Sequence, residues 1–345
     1  MKVTIQKIAD IAGVSRGTVD KVIHGRPGVS DQVRKNVQKI ADDLGYHPNK
    51  VAKALRTMDK KITLAVIMPH LTNPFFQSLK KGMDEACEKL RDYGITLQYY
   101  YSDGVNSEEI IAILNFLKTK DIQGLAVRGV QNEALNSHLK DFIEKQIPIV
   151  TFDSDLPSVQ RLCFIGEEHE HSGRIGASLL GKCIGGKGTV AILTGSTNVQ
   201  AHLLRINGFQ NALHELYPRI SIVEIAETLD QSAIAYDHTA RLLNLYPHLS
   251  GIFNTAGCSG DMAKALADAK KTGEVKLVTY NVTPEVVTLV KNGIVDFTIG
   301  LGPKTQGSLT IETLFNYVFF HESPADTFLR TPICIGIEEN IDTLQ

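Results

Sequence analysis

The chain has 345 residues, of which 43% are hydrophobic and 21% are charged, a balance typical of folded globular proteins and unlike that of disordered chains. This length allows two or three domains, and the longest apolar runs are strand-sized, which argues against a transmembrane span. The net charge of −2 hides an asymmetry: residues 1–60 carry twelve Lys and Arg against six Asp and Glu, and the remainder carries 24 against 32. A basic N-terminal segment suits a polyanionic partner, although a solvated helical surface would show the same balance.

The five cysteines are scattered and never form a CxxC pair: Cys87, Cys163, Cys183, Cys258 and Cys334. This pattern argues against a disulfide framework and against a zinc site, and it favours reduced thiols. Because the first residues contain no apolar signal core, we expect a cytoplasmic protein.

Three short helices are predicted in the first 48 residues. The apolar residues of each recur at the spacing of one helical face: Ile5, Ile8, Ala9 and Ala12, then Val19, Val22 and Ile23, then Val33, Val37, Ile40, Ala41 and Leu44. Gly13 suits the end of the first helix, and Ser15 and Ser30 suit the caps of the next two. Two helices joined by a tight turn and supported by a third form a helix-turn-helix unit, although a three-helix structural domain remains open.

The second of these helices is predicted to contact DNA, since the major groove admits one helix and its outward face near the N-terminus reads the bases. Arg16 can donate two hydrogen bonds to a guanine, and Gly17 lets the backbone approach closely. Ser15, Thr18 and Lys21 are better suited to phosphates, which position the domain without reading sequence.

The segment from Val3 to Thr57 closely resembles the DNA-binding headpiece of the lactose-repressor (LacI) family, in its IADIAGVS, TVDKV, LGYHPN and AKALR stretches. One departure is Asp20, where most members have Ser, but TVDKV marks a subgroup, so we do not interpret it as loss of DNA binding. In addition to the DNA contacts predicted for the second helix, the resemblance implies that Thr4, His24, Asn49 and Ala52 contact DNA.

The resemblance further implies that residues 49–60 form a hinge helix and linker. Isolated helices this short are unstable in water, so the hinge is expected to fold only on DNA, paired with the hinge of a second chain. Leu55 would then insert into the minor groove and kink the duplex. A plain linker is the alternative.

From Ile62 onward, strand-like runs alternate with amphipathic segments, which predicts parallel sheets covered by helices. The eight runs are ITLAVIM, ITLQYYY, IQGLAVRG, IPIVTFD, TVAILTG, GIFNTAG, VKLVTYN and IVDFTIG. Ligands of such folds bind beyond the carboxyl ends of the strands. The candidate site residues there are Asn73, Arg128, Asp153, Ser154, Asn254 and Asn281.

This region resembles the type I periplasmic sugar-binding fold, which implies two α/β lobes of parallel sheet with a cleft between them. We expect residues 61–162 and 302–322 in the first lobe and 163–301 and 323–345 in the second. The resemblance implies that Phe75 and Phe76 stack on a sugar ring and that Asp153, with Ser154 beside it, accepts hydrogen bonds from hydroxyls. It also implies ligand contacts by His202, Arg205, Asn254 and Asn281. Asn281 and Leu301 replace the Asp and Gln of many sugar binders, which argues against a simple ribose-like ligand.

Three motifs resemble catalytic or metal sites but fail on detail. GKCIGGKG lacks the Ser or Thr of a P-loop and precedes a strand instead of following one. Glu167–His171 is predicted to be a solvated helix start, because His169 and His171 are two residues apart and diverge on a helix. AGCSGD lacks the final Gly of a nucleophile elbow.

We therefore expect a transcription regulator of the repressor type that binds a palindromic operator as a homodimer and responds to a sugar-like effector. No enzyme activity, cofactor, metal or membrane partner is expected. Whether the effector induces or corepresses is left open. The alternatives are a solute-binding protein of a transport system and a sugar-modifying enzyme with a fused helical domain.

Overall fold

The computed structural model describes residues 4–23, 27–44, 61–103 and 106–344. The chain divides into two compact units, residues 1–60 and 61–345. The predicted hinge and linker, residues 49–60, lie outside the described residues. So do four of the predicted DNA contacts: His24, Asn49, Ala52 and Leu55.

The N-terminal unit contains the three predicted helices, α1 (Ile5–Ala12), α2 (Arg16–Ile23) and α3 (Asp31–Asp43). Ile8, Val19 and Val37 are fully buried between them. Gly13 ends α1 in the left-handed conformation at φ +66°, and the hydroxyl of Thr4 caps its start. Ser30 occupies the predicted cap position of α3, but its side chain accepts no capping hydrogen bond.

The first sheet of the core contains β1 (Ile62–Pro69), β2 (Ile95–Ser102), β3 (Gly124–Arg128), β4 (Ile149–Phe152), β5 (Cys163–Gly166) and β11 (Phe328–Arg330). It is entirely parallel, with the strand order β11-β5-β4-β3-β1-β2. The helices α4 (Pro74–Lys89), α5 (Ser107–Leu117) and α6 (Glu133–Glu144) follow β1, β2 and β3. These elements form the first lobe, together with the later helix Pro303–Phe315, which packs against α4.

The second sheet contains β6 (Lys187–Thr194), β7 (Arg219–Glu227), β8 (Leu249–Asn254), β9 (Lys276–Tyr280), β10 (Phe297–Gly300) and β12 (Cys334–Gly336). Its strand order is β12-β10-β9-β8-β6-β7, and it is parallel except for the β10–β12 pair. The remaining helices are α7 (His169–Cys183), α8 (Gln200–Leu216), α9 (Ser232–Leu245), α10 (Ser259–Asp268), α11 (Pro284–Lys291) and α12 (Pro303–Phe315). All eight predicted runs form strands, and the prediction missed β5, β7, β11 and β12.

The chain crosses between the lobes three times, and two of the predicted crossings must be corrected. Because β5 pairs with β4, the first lobe continues through Gly166 instead of ending at residue 162. Because β11 pairs with β5, the last crossing follows Arg330 and not residue 322. Thr331 lies in the last crossing and contacts the other two. Its N–H donates to the Gly166 carbonyl oxygen at 2.8 Å, and its hydroxyl lies 3.5 Å from the Leu301 carbonyl oxygen.

Glycines allow one pair of helices in each lobe to pack with their backbones in contact. A Cβ on Gly82 of α4 would lie 2.0 Å from the Lys304 carbonyl oxygen of α12. In the second lobe, a Cβ on Gly173 of α7 would lie 2.1 Å from the Arg205 carbonyl oxygen of α8. These distances are far below van der Waals contact, so no larger residue fits without separating the helices. Because Gly173 of α7 packs directly on the backbone of Arg205, the contact between α7 and α8 fixes the position of Arg205.

Candidate functional site

A cleft of about 720 Å³ opens at the carboxyl ends of strands from both sheets. From the first lobe it is lined by residues that follow β1 and β2 and by the end of β3: His70, Asn73, Phe76, Asp103 and Arg128 among them. From the second lobe it is lined by residues that follow β7, β8 and β9: Asp230, Gly257, Asp261, Asn281 and Glu285 among them. A chamber of about 30 Å³ shares part of this lining and adds Phe75, Asp153, His202 and Arg205.

An ion pair between Arg128 and Asp153 forms one wall of the chamber. Both side chains are buried, and Nε of Arg128 donates to Oδ2 of Asp153 at 2.6 Å. The guanidinium also lies 5.4 Å from the ring centroid of Phe76. Asp153 has φ +59°, a left-handed conformation that Asp tolerates better than most residues. The loop after β4 therefore presents a carboxylate whose remaining acceptor capacity faces the chamber.

A second ion pair joins Arg205 of α8 to Glu167 at the first crossing. Nε and Nη2 of Arg205 donate to Oε1 of Glu167 at 2.9 and 2.6 Å, and Nη1 donates to the Thr255 carbonyl oxygen at 2.8 Å. Burial alone would raise the pKa of Glu167, but the neighbouring charges of Arg205 and His169 lower it to about 2. The guanidinium carbon of Arg205 also lies 4.3 Å from the ring centroid of Tyr280.

The prediction of a solvated start for α7 is therefore wrong at two positions. Glu167 is fully buried, and His169 is 4% exposed with Nδ1 at 2.8 Å from Oε1 of Glu167. The reason is tertiary: α7 packs closely against α8, and Glu167 supplies the counter-charge that the buried Arg205 requires.

His202 precedes Arg205 by one turn of α8 and lines the chamber. Its Nδ1 lies 3.1 Å from the backbone nitrogen of Ser196. Burial, with the nearby charges of Arg205 and Arg128, lowers the pKa of His202 to about 3. The imidazole is therefore neutral at physiological pH and can exchange a hydrogen bond with a hydroxyl group.

The aromatic pair sits at the start of α4. Asn73 caps this helix, its Oδ1 accepting from the N–H of Phe75 at 2.9 Å. The rings of Phe75 and Phe76 meet edge to face, with centroids 5.1 Å apart. Phe76 borders both cavities, whereas Phe75 borders only the chamber. Both residues are at least nine-tenths buried.

Two predicted ligand contacts do not border either cavity. Asn254 is fully buried, and its Nδ2 donates to Gly257 O, Ser259 Oγ and Thr279 Oγ1, which holds the turn after β8. Ser154 is also fully buried and lies behind Asp153. The strand-end rule that selected them does not distinguish a side chain pointing into the cleft from one pointing into the lobe.

The sequence prediction missed Asp230 and Tyr280 in the cleft. Asp230 follows β7, a strand that the alternation did not reveal, so its strand-end position was not recognised. A backbone signal also marks the site: eight non-glycine residues of the described part have positive φ. Five of them border the cavities, namely Asp153, Leu229, Asp230, Cys258 and Asn281. Such conformations concentrate at functional sites.

In the N-terminal unit, α2 exposes Arg16, Gly17 and Lys21. The hydroxyl of Ser15 accepts from the N–H of Thr18 at 3.1 Å and lies 2.9 Å from the Thr18 hydroxyl. The two hydroxyls therefore define the start of α2 and remain at the surface beside Arg16.

Within the described residues, no group of three or more His, Cys, Asp or Glu side chains is placed to hold a metal ion. None of the helices in that part of the chain is long and apolar enough to cross a membrane.

Residues 4–49 match the family described as bacterial regulatory proteins, lacI family, and residues 64–322 match the periplasmic binding protein domain. The chain belongs to the lacI family of regulators. The lacI-family relatives include the HTH-type transcriptional regulator DegA of Bacillus subtilis, 24% identical over 286 residues and 82% of each chain. The ribose operon repressor of the same organism is 25% identical over 290 residues and 82% of each chain. Catabolite control protein A of Priestia megaterium is 26% identical over 216 residues, 62% of each chain, which is less than two-thirds of its length.

The solved structures similar to this lacI-family chain match its core. The glucose-galactose binding protein GanP of Geobacillus stearothermophilus superposes with a TM-score of 0.76 at 21% identity, covering 81% of this chain and 99% of GanP. A transporter solute-binding protein of Burkholderia graminis, solved with D-arabinose, gives 0.77 at 27% identity, covering 82% and 97%. The predicted two-lobed fold is confirmed.

Proposed function

We propose that this chain is a cytoplasmic transcription regulator that binds a palindromic operator as a homodimer and is controlled by a small sugar-like effector in the interlobe cleft. The observation that carries the proposal is the presence in one chain of a lacI-family domain whose second helix exposes Arg16 and of a polar cleft built from two lobes. Because the relatives are transcription regulators, we propose no enzyme activity.

The DNA-binding role rests on α2. Arg16 lies in its first turn, where a recognition helix reaches base edges, and Gly17 beside it leaves room for the sugar–phosphate backbone. Lys21 and the hydroxyls of Ser15 and Thr18 suit phosphates. Thr4 is included as a DNA contact, since it is exposed at the cap of α1. His24, the hinge residues Asn49 and Ala52, and the wedge Leu55 remain predictions from the family resemblance.

The effector role rests on the balance of donors and acceptors in the chamber. Arg205 and Arg128 provide donors, and Asp153 and the neutral His202 can accept from hydroxyl groups. Phe75 and Phe76 provide aromatic rings for the C–H groups of a sugar ring, and Asn73 and Asn281 provide amides. A ligand that contacts both lobes stabilises one relative position of the lobes, which is how an effector can change DNA affinity.

The test is a fluorescence-anisotropy titration of a labelled family-type palindrome with a central CpG step. It is run at two salt concentrations, with and without a panel of sugars and sugar phosphates. We expect salt-sensitive binding with two chains per palindrome, and one compound that shifts the affinity by about 5- to 150-fold. Binding of a panel sugar without affinity for the palindrome or for genomic fragments would instead identify a solute-binding protein.

Matched variants separate base reading from bulk charge. Arg16→Ala should reduce discrimination between operator and scrambled DNA by about 1–3 kcal/mol, because it removes a base contact. Lys39→Ala removes the same charge from an exposed position on α3, and we expect it to leave that discrimination intact. Equal losses in the two variants would mean that Arg16 acts only through its charge.

A further inference from the structure

We propose that the effector carries a protonated amine in addition to hydroxyl groups, and that Asp230 receives the ammonium group. This inference rests on the proposed effector role of the cleft. It specifies the chemical class: an amino sugar, rather than a neutral sugar or a sugar phosphate.

The first observation is that the cationic side chains of the cleft are already neutralised. Among the described lining residues, the only Arg or Lys side chains are Arg128 and Arg205. Arg128 is paired with Asp153 and Arg205 with Glu167, each at 2.6 Å and each with both partners buried. A phosphate or carboxylate ligand would have to displace or approach a buried carboxylate to reach either guanidinium.

The second observation is that further carboxylates line the wider part of the cleft. They are Asp103, Asp230, Asp261 and Glu285. Within the described chain, no Lys or Arg forms an ion pair with any of the four. A cleft lined by one sign of charge concentrates the field and attracts the opposite ion. The cleft therefore favours a cationic ligand over a neutral one.

The ends of helices account for part of this arrangement. Asp261 and Glu285 lie in the first turns of α10 and α11, and Asp230 lies just before α9. Carboxylates are favourable there because helix N-termini carry partial positive charge. The same positions are the ones at which a protein binds phosphate. Because the chain places its own carboxylates there, these helix ends are not available to an anionic ligand.

Asp230 and Asn281 border both the chamber and the wider cleft, so they mark where the ammonium group would lie. Oδ1 of Asp230 accepts from the N–H of Gly257 at 3.0 Å, which orients the carboxylate. Oδ1 of Asn281 is shielded from solvent and has no hydrogen-bond partner within the described residues. Both groups offer oxygen acceptors, and an ammonium group has three donors. The hydroxyl groups of the same ligand would lie at the inner end, between Arg128, Asp153 and Arg205.

The test is isothermal titration calorimetry of the full-length protein with matched ligand series. Each series contains a hexose, its 2-amino form, its N-acetylated form and its 6-phosphate, for the gluco, galacto and manno configurations. In at least one series we expect the amine to bind about ten-fold or more tightly than the hexose and the N-acetyl form, with the phosphate weakest. This preference should decrease as salt is raised.

Asp230→Asn should abolish the preference for the amine, while its amide oxygen can still accept from the Gly257 N–H. Asp237→Asn is the matched control, because Asp237 is an exposed carboxylate on α9 that does not line the cleft. This variant should keep the wild-type preference for the amine. Asp261→Asn provides a second cleft variant with a smaller expected loss. Circular dichroism melting shows whether each variant is folded.

The proposal is overturned if a hexose or a phosphate binds as tightly as its amine, if no amine binds at millimolar concentration, or if folded Asp230→Asn keeps the preference. Operator affinity, measured without ligand, reports on the proposed function separately. An amine preference in a protein that binds no DNA would overturn the regulator proposal and leave this one standing.

Discussion

Oε1 of Glu167 accepts two hydrogen bonds from the Arg205 guanidinium, at 2.9 Å from Nε and 2.6 Å from Nη2. Glu167 immediately follows β5 of the first lobe, and Arg205 belongs to α8 of the second lobe. The ion pair therefore links the first crossing between the lobes to the wall of the chamber.

Removing the charge of Glu167 should strongly destabilise the core. Glu167→Gln leaves the Arg205 guanidinium buried without a counter-charge, and we expect a loss of about 3 kcal/mol in the free energy of unfolding. Because the chain contains no Trp, circular dichroism in urea is the suitable measurement. Glu168→Gln is the control: its carboxylate is exposed and lies 3.4 Å from Arg330, so we expect no measurable change. Similar midpoints for the two variants would contradict a structural role of the buried pair.

The buried His202 should make the protein sensitive to mild acid. Its pKa falls from 6.5 to about 3 on folding, mainly because of burial and the nearby Arg205 and Arg128. Below pH 6.5, His202 of the unfolded chain binds a proton that the folded chain excludes. The free energy of unfolding is therefore highest above pH 6.5 and decreases as the pH falls toward about 3. Between pH 7 and pH 5 this group should cost about 2 kcal/mol.

Urea midpoints at those two pH values measure the effect of His202. His202→Gln should flatten the dependence, because the amide does not titrate. His171→Gln removes an exposed histidine of the same lobe and serves as the control. If the wild type and His202→Gln lose stability in parallel on acidification, the acid sensitivity arises elsewhere.

The close contact of α7 and α8 should not tolerate a side chain at Gly173. Gly173→Ala places a Cβ about 2.1 Å from a backbone oxygen, so the helices must separate. We expect a loss of about 2 kcal/mol or more in stability and weaker effector binding, since Arg205 moves with α8. Ser178→Ala, on the same helix, adds no atom and improves helix propensity, so it should be neutral or slightly stabilising. Thermal melting and calorimetry on both variants test this directly; an unaffected Gly173→Ala protein would refute the contact.

Ser15 and Ser30 provide a matched test of helix capping in the DNA-binding unit. The Ser15 hydroxyl accepts from the N–H of Thr18 at 3.1 Å, whereas the Ser30 side chain accepts no capping bond. Ser15→Ala should therefore destabilise α2 by about 1 kcal/mol, with Ser30→Ala affecting α3 less. Amide hydrogen exchange of the full chain, followed separately in α2 and α3, measures the stability of each helix. If Ser30→Ala accelerates exchange in α3 more than Ser15→Ala accelerates it in α2, this ranking is wrong.

Local patterns were sufficient to predict the helices of the N-terminal unit and eight of the twelve strands in the described residues. The caps at Gly13 and Ser15 and the buried faces of α1 to α3 depend on residues three or four positions apart, so the sequence contains their cause. The three-residue strands β11 and β12 were missed because so short a run carries no recognisable period. Length does not explain the miss of β5, since β4 and β10 have four residues as well. The longer β7, at the edge of its sheet, was missed because its alternation is interrupted at Val223, where the register with β6 shifts.

The sequence by itself determined the class of the molecule: a basic helix-turn-helix unit, a two-lobed α/β core and the group of strand ends from which the cleft is built. Only the tertiary structure decided which of those strand-end side chains face the cleft, since it turns Asn254 and Ser154 into the lobe and brings Asp230 and Tyr280 to the surface of the cavities. It also decided that Glu167 and His169 are buried. The physical reason is that a side chain's direction and counter-charge depend on partners distant in sequence: Glu167 meets Arg205 across 38 positions, a pairing that no local pattern encodes.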